Sequence, residues 1–541
     1  MTGPVRFGNP PARSAVHESA PAVRVAVVGG GLAGIAAAVR LADAGRQVLL
    51  YEAGARLGGL THSFRRGELD VDNGQHVFLR CCTAYLDLLG RLGVRGQVHL
   101  QPRLDVVVRA PGRTARLRRT GLPAPLHLAG TLLRYPMLSP ADRARAVAGA
   151  LALRRIRLAD PAVDEVNFAG WLARHGQNAR TTAALWDVFT IAALNVPAAE
   201  ASLAMAAKVF QTGLLTRAGA GDIGWSRLPL QQLHAEPAAR ALAAAGAELR
   251  TRTRVAGLRP DSGGWLLTDQ AGGTDRADQV VLAAPPDQVE RLLPAGALDQ
   301  PAGWSAGLGT SPIVNAHLVL DRQVLTEPFV AGLDSAVQWV FDRTEQSGLA
   351  RLPGRAGQQY LAISLSAADE LIDLRTAELR DRILPALTAL LPELRGARVL
   401  DFFVTRERHA TFRPAPGTGR LRPGTATRLP GLVLAGAWTD TGWPATMESA
   451  VLSGEAAAAL LLATPAPAAA VPAVPAGQAG RVDPAPGTGK IPGPERADSQ
   501  HQRNPDSTSH DAPPAGTAPT AGTAPTAGTA PQRPELERNA T

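Results

Sequence analysis

Short apolar runs alternate along the chain with longer stretches whose apolar residues recur at helical spacing. Val23–Val28 is apolar except for Arg24, and Gln47–Tyr51 is apolar after its first residue. Between them a glycine turn leads into residues 32–44, rich in Ala, Leu, Ile and Val, which predict a helix through Ala44. The alternation returns at Ala247–Val255, at Gln279–Ala284 with helical Asp287–Leu293, and at Gly431–Leu434 with the Ala-rich helix Ala445–Leu461. Strands that are apolar on both faces belong to a parallel sheet covered by helices. The intervening sequence mixes helical stretches, Ala141–Leu158 and Val166–His175, with the β-like run Ile313–Leu320. The expected fold is α/β: a Rossmann-like dinucleotide-binding domain built from the separated segments 23–105, 235–305 and 420–462, with an inserted α+β substrate domain from 106–234 and 306–419.

Composition changes this picture at the two ends. Residues 1–22 mix Pro, Gly, Ser and charge without periodicity. From Ala463 onward Pro, Ala, Gly and Thr dominate, and the hexad Ala-Gly-Thr-Ala-Pro-Thr recurs from Ala515 and Ala521. Both read as disordered, a leader (1–22) and a tail (463–541), because neither buries enough apolar surface to offset the entropy of ordering. The net charge of +9 invites a nucleic-acid reading, which the sequence otherwise opposes. The basic residues are almost all Arg, with Lys only at Lys208 and Lys490, and they are scattered among acids without a nucleic-acid motif. The two cysteines, Cys81 and Cys82, are adjacent, which lacks metal-ligand spacing and reads as buried thiols in a reducing compartment. No metal site is expected. With no apolar leader and no run of about eighteen apolar residues, the expected location is cytoplasmic.

The first strand ends in Gly29-Gly-Gly31-Leu-Ala-Gly34, opening a helix. These glycines allow a tight turn, close approach of backbone to a pyrophosphate, and tight helix–strand packing, while the helix N-terminus offers N–H groups to the phosphates. Glu52, at the end of the second strand, lies where the fingerprint places an acid for ribose hydroxyls. Arg56-Leu-Gly58-Gly59 follows and resembles the glycine-doublet motif of flavoproteins related to amine oxidases and phytoene desaturases, with Leu60 where an Arg is usual. Leu434-Ala-Gly436-Ala-Trp438-Thr-Asp440-Thr-Gly-Trp443-Pro-Ala-Thr446-Met447-Glu448 resembles the closing FAD motif of the same superfamily, in which a helix N-terminus faces the flavin. Many relatives have an acid at the position of Ala437, so the resemblance implies that this contact is either absent here or supplied by Asp440. The resemblance also implies that Val255 meets adenine. FAD is thus the expected cofactor.

Further stretches resemble the hydroxysqualene dehydroxylase family. They are Leu69-Asp-Val-Asp72-Asn73-Gly74-Gln75-His76, Ala192-Ala-Leu-Asn195-Val-Pro197, Gln338-Trp339-Val-Phe341-Asp342-Arg343, Arg408-His409-Ala-Thr-Phe412 and Thr441-Gly442-Trp443-Pro444-Ala-Thr446. The resemblance spans residues 24–460 and implies an FAD-dependent oxidoreductase that converts hydroxysqualene to squalene, ahead of hopanoid or related terpene synthesis. Loss of a hydroxyl calls for a general acid, and Asp72 and His76 are the candidates for acid and polar clamp, against a bland reading as turn and backbone-bonding residues. Trp339, Trp438 and Trp443 line the pocket or belong to the core, and Asn195 either positions the reacting carbon or, as Pro197 just after it favours, caps a helix. A carotenoid desaturase and a catalytically silent flavin-bound scaffold of a squalene-synthesis complex are the competing readings.

A long-chain isoprenoid substrate must reach the site from a membrane or by handover from a squalene-synthase-type prenyltransferase. Region 113–158 sets Arg113, Arg116, Arg118 and Arg119 before the apolar stretch Leu122–Leu138, and Arg143, Arg145, Arg154, Arg155 and Arg157 after it. Two readings stand: a surface that dips into lipid headgroups on the inner face of the plasma membrane, with Leu132, Leu133 and Tyr135 in contact, or a core helix pair with solvated arginines.

Overall fold

The computed structural model describes residues 22–464, so the expectations for the leader and the repetitive tail lie outside the described residues. Five parallel strands form the central sheet in the order Glu248–Arg250, Gln47–Tyr51, Arg24–Val28, Gln279–Leu282, Leu432–Leu434. Val25, Ala26 and Val27 are fully buried, as a strand covered on both faces requires. The first strand lies mid-sheet, with its sequence successor on one side and Gln279–Leu282 on the other. That arrangement opens a crevice at the strand's carboxyl end, where the glycine turn sits.

Helix Leu32–Asp43 follows that turn and crosses the closing helix Met447–Ala463 at close range. A Cβ on Gly454 would come within 2.1 Å of the Ala33 carbonyl oxygen, so only glycine fits the crossing. The second large unit is a seven-stranded sheet in the order Val399–Thr411, Ser311–Leu320, Gln359–Ser366, Trp339–Asp342, Phe329–Gly332, Asp105–Ala110, Arg113–Arg118. Helix Thr376–Leu390 shares one apolar cluster with this sheet, and the helices between residues 129 and 215 share another. A three-stranded sheet joins the segments: Ile223–Ser226 pairs with both Val77–Leu79 and Val98–Leu100. Residues 223–226, grouped by sequence with the substrate segment, thus pair with strands of the first cofactor segment.

Arg113–Arg118 is the charged edge strand of the large sheet, with Ala115 and Leu117 inward. Asn195 ends helix Asp187–Leu194 in the left-handed region at φ 58° and bonds the Ser311 carbonyl at 2.8 Å and the Ala367 amide at 2.7 Å. It is the cap its sequence suggests, and it also ties three segments together.

Candidate active site

At the mouth of the crevice the Glu52 carboxylate accepts the amides of Gly30 (2.8 Å) and Gly54 (2.6 Å). Each oxygen keeps a lone pair for a ribose hydroxyl. Thr253 N bonds the Glu52 carbonyl, so Val255, two residues on, starts its strand beside this acid. Gly31 and Gly58 form a bridge, and Gly58 N bonds Gly30 O at 2.8 Å, which lays the doublet against the first turn. A Cβ on Gly59 would meet Gly31 Cα at 2.9 Å, whereas one on Gly31 meets nothing nearer than 3.9 Å. A groove bounded by bare backbone therefore runs over Gly31. Helix Leu32–Asp43 receives no side-chain cap there, leaving its first amides for an anion. Arg56, two residues before the doublet, is exposed.

Beyond the doublet, residues 60–63 and 72–76 form a polar wall. Asp72 is buried and accepts three donors: Ser63 Oγ at 2.6 Å, Leu230 N at 3.0 Å and the Arg343 guanidinium, with which it forms a buried ion pair. Asn73 bonds the Leu60 carbonyl at 2.9 Å, and its own carbonyl accepts Asn315 and Thr405. His76 sits in this wall with its pKa pushed down to about 4, by burial first and then by the Arg343 charge, with Asp72 pulling the other way. His234 bonds the Tyr85 hydroxyl at 2.7 Å, and His317 bonds Tyr360 at 2.8 Å and Thr405 at 3.0 Å. Four buried atoms around the wall, Gln75 Oε1, Gln231 Oε1, His234 Nδ1 and Asn315 Oδ1, have no partner within the protein. Orphaned polar atoms are costly unless a ligand or water satisfies them. A polar ring system such as flavin fits that donor and acceptor set.

The closing loop completes the site. Gly436, at φ 149°, begins it, and Trp438 is core, tilted on Trp304 at 5.3 Å with its indole N–H on the Ala284 carbonyl. The buried Arg422 gathers the carbonyls of Trp438 (3.3 Å) and Trp443 (2.9 Å), and burial lowers its pKa to about 10. Asp440 is exposed and caps the turn through Gly442 N at 3.2 Å. Thr446 is the N-cap of helix Met447–Ala463, accepting Ser449 N. Glu448 reaches across to the amides of Ala84 (3.1 Å) and Tyr85 (2.8 Å), capping helix Thr83–Arg91 in place of Cys82, whose side chain makes no cap. Cys82 is buried as expected, but Cys81 is only partly so.

Residues 32–462 match the family described as flavin containing amine oxidoreductase. The chain belongs to that family. It is 31% identical over 450 residues to the hydroxysqualene dehydroxylase of Rhodopseudomonas palustris, covering 81% of this chain and 98% of that protein. It is 27% identical over 493 residues to the zeta-carotene desaturase of a Synechocystis strain, at 82% and 98% coverage. Among solved structures, the cyclohexylamine oxidase of Brevibacterium oxydans superposes with a TM-score of 0.62 at 20% identity, over 82% of this chain and 99% of that one. The protein is an FAD-dependent oxidoreductase of the amine oxidase fold. The structure brings Gly31, Glu52, Gly58 and Gly59 together at the mouth of the crevice and packs Gly29 against Gly34 within the turn, whereas Arg56 and Asp440 are exposed. Arg343, His234, His317 and Asn315 were not expected from sequence. Arg343 ends the stretch Gln338–Arg343, whose sequence assigns it no role, and the other three carry no local mark.

The buried histidines set an acid limit. The pKa values of His234 and His317 are lowered by burial to about 3, and that of His76 to about 4. Each is lower than in the unfolded chain, near 6.5, so stability is complete above about pH 6.5 and falls as the unfolded form takes up protons. Denaturant titration is expected to show a loss of about 2 kcal/mol for each of the fully buried His234 and His317 between pH 7 and pH 5, and less for the partly exposed His76. A flat profile over that interval contradicts burial of neutral imidazoles.

Away from the polar wall, Leu104, Leu117, Leu132, Leu185, Trp186 and Phe210 line a cavity of about 60 Å³ among the substrate-domain helices. Two π-helical turns, Thr182–Trp186 and Gln211–Leu215, border it. Such turns are frequent where helices bend around functional sites.

Proposed function

We propose that this flavoprotein removes the hydroxyl of hydroxysqualene reductively, yielding squalene in bacterial triterpenoid synthesis. The observation that carries the reading is similarity to a hydroxysqualene dehydroxylase along 98% of its length. The apolar cavity agrees with it, since a hydrocarbon chain with one polar atom is held by burial, at roughly 25 cal/mol per Å². Ligand pockets hold about 300–1,000 Å³, so the bordering helices must part to admit the chain. Reduced FAD supplies hydride. Glu52 would hold its ribose, the N-terminus of Leu32–Asp43 and Arg56 its phosphates, and Thr446 and Met447 present a helix N-terminus to the flavin. Asp72, fixed by Arg343, positions the wall, and neutral His76 serves as its polar clamp.

Anaerobic enzyme with reduced flavin is expected to convert hydroxysqualene to squalene while its flavin reoxidises. The zeta-carotene desaturase similarity supports a second reading, in which oxidised enzyme lengthens the polyene of a carotenoid precursor. Conjugated product from phytoene, with no squalene from the alcohol, would decide for that reading.

Substrate delivery from a membrane face is part of the proposal. Leu122, Leu126, Leu133, Leu151 and Leu158 are exposed, and Arg134, Arg154, Arg155 and Arg157 stand exposed among them. Among the described residues no helix is long and apolar enough to cross a membrane. Tyr135 does not belong to this face: it is buried and bonds the Ala184 carbonyl at 2.8 Å, while Leu132 lines the cavity. Flotation with anionic liposomes is expected at low salt and should be lost in a Leu122→Ser, Leu126→Ser, Leu133→Ser variant. Wild-type protein that stays with the soluble fraction points instead to handover from the preceding prenyltransferase.

A further inference from the structure

The geometry points to Asn315 and Ser364 as the anchor that holds the substrate's hydroxyl, an inference that rests on the dehydroxylase reading. Asn315 is fully buried in strand Ser311–Leu320, between Val314 and Ala316, which face the apolar cluster on the other side of the sheet. Its amide nitrogen donates to the Asn73 carbonyl at 3.2 Å, and since a carbonyl only accepts, the free end of the amide is its oxygen. That oxygen, Oδ1, has no partner within the protein. A buried acceptor left unpaired calls for a donor that the protein does not contain. Of the four such atoms around the wall, this one alone belongs to the seven-stranded sheet.

Register connects this atom to the apolar half of the site. Asn315 lies directly opposite Ser364, and Ser364 directly opposite Trp339, in a stretch of ladder without a bulge. Side chains opposed in this way share one face and stand about 5 Å apart at Cβ. Ser364 and Trp339 are half-buried, and among the described residues neither the serine hydroxyl nor the indole N–H has a hydrogen-bond partner. The row continues through Ala331, Val108 and Ala115. Five strand spacings of about 4.8 Å make it about 24 Å long. Its far end lies two residues from Leu117, which is turned to the same face and lines the apolar cavity. At its near end a Cβ on Gly74 would meet His76 Nε2 at 3.2 Å and Asn315 Nδ2 at 3.9 Å, so glycine keeps a small space open between imidazole and amide. A row that is polar at the wall and apolar at the cavity matches a hydrocarbon with one polar atom.

A hydroxyl both donates and accepts. At the wall end of the row it donates to Asn315 Oδ1 and accepts from Ser364 Oγ, while the hydrocarbon runs over Trp339 toward the cavity. The reaction then removes the anchor's own ligand. Squalene has no polar atom, so the product leaves Asn315 unpaired and is held more weakly than the alcohol.

The test compares binding of hydroxysqualene and squalene, in the same detergent, to enzyme whose flavin is oxidised and which therefore does not turn the alcohol over. Binding is read from the change in flavin absorbance. Wild-type protein should prefer the alcohol by roughly 10–100-fold. Asn315→Leu should abolish that preference and Ser364→Ala should lower it several-fold, neither weakening squalene, and both should keep the wild-type flavin-to-protein ratio and flavin reduction potential. Asn315→Leu leaves the Asn73 carbonyl paired, because Thr405 Oγ1 also donates to it at 3.2 Å, and Ser364→Ala removes a hydroxyl that bonds nothing among the described residues. An unchanged preference in either variant, equal weakening of both ligands, or a shifted potential in Asn315→Leu would each overturn the assignment, the last by placing the free oxygen against the cofactor. If wild-type enzyme with reduced flavin leaves hydroxysqualene untouched, the dehydroxylase reading itself falls, a different result from turnover that ignores Asn315.

Discussion

Replacing Gly31 with valine is expected to give a folded protein that binds essentially no FAD, whereas Gly34→Ala is expected not to fold. Both glycines belong to one motif, yet the structure separates their roles. A Cβ on Gly34 would lie 1.8 Å from the Gly29 carbonyl oxygen, an overlap that only unravelling of the turn relieves. A Cβ on Gly31 meets nothing within the protein nearer than Gly59 Cα at 3.9 Å. Gly31 has φ −72° and ψ 178°, extended backbone that valine adopts readily. The protein therefore tolerates the side chain, and what it displaces is the pyrophosphate that must approach bare backbone there. Flavin-to-protein ratio and a cooperative unfolding transition distinguish the two outcomes. A folded Gly31→Val protein with stoichiometric FAD would show that the dinucleotide does not run over this turn.

The cofactor half of the fold was legible because its determinants are local. Strand, glycine turn, helix and acid follow one another within residues 24–52, and each element forms within a residue or two of its expected bounds. The substrate half was less so. Arg113–Arg118 read as a basic flank, although its alternation of exposed and buried residues is that of an edge strand. Tyr135 read either as lipid-facing surface or as part of a core helix pair, and the Ala184 carbonyl that holds it in the core is 49 residues away. The π-turns leave no periodic mark. The polar wall gathers groups from both halves of the chain, and nothing near Asp72 announces that its cation stands 271 residues later.

That distant pair carries the other large expected effect. Arg343→Met should cost about 3–5 kcal/mol of stability in denaturant titration, because it leaves the Asp72 carboxylate buried without its counter-charge. Removing both charges, in Asp72→Leu with Arg343→Met, should recover part of that loss, since a buried ion pair gains little over apolar packing. Recovery stays incomplete because Leu230 N and Ser63 Oγ lose their acceptor, at about 1–3 kcal/mol for an unsatisfied buried group. The two outcomes should also part in function. The pair fixes strand Leu69–Asp72, and Asn73 through His76 follow it directly, so both the single and the double variant should hold FAD more weakly even where stability is partly restored. If the double variant is as unstable as Arg343→Met, the carboxylate is not the source of the cost. If it regains stability and full FAD affinity together, Asp72 and Arg343 stabilise the fold without shaping the wall.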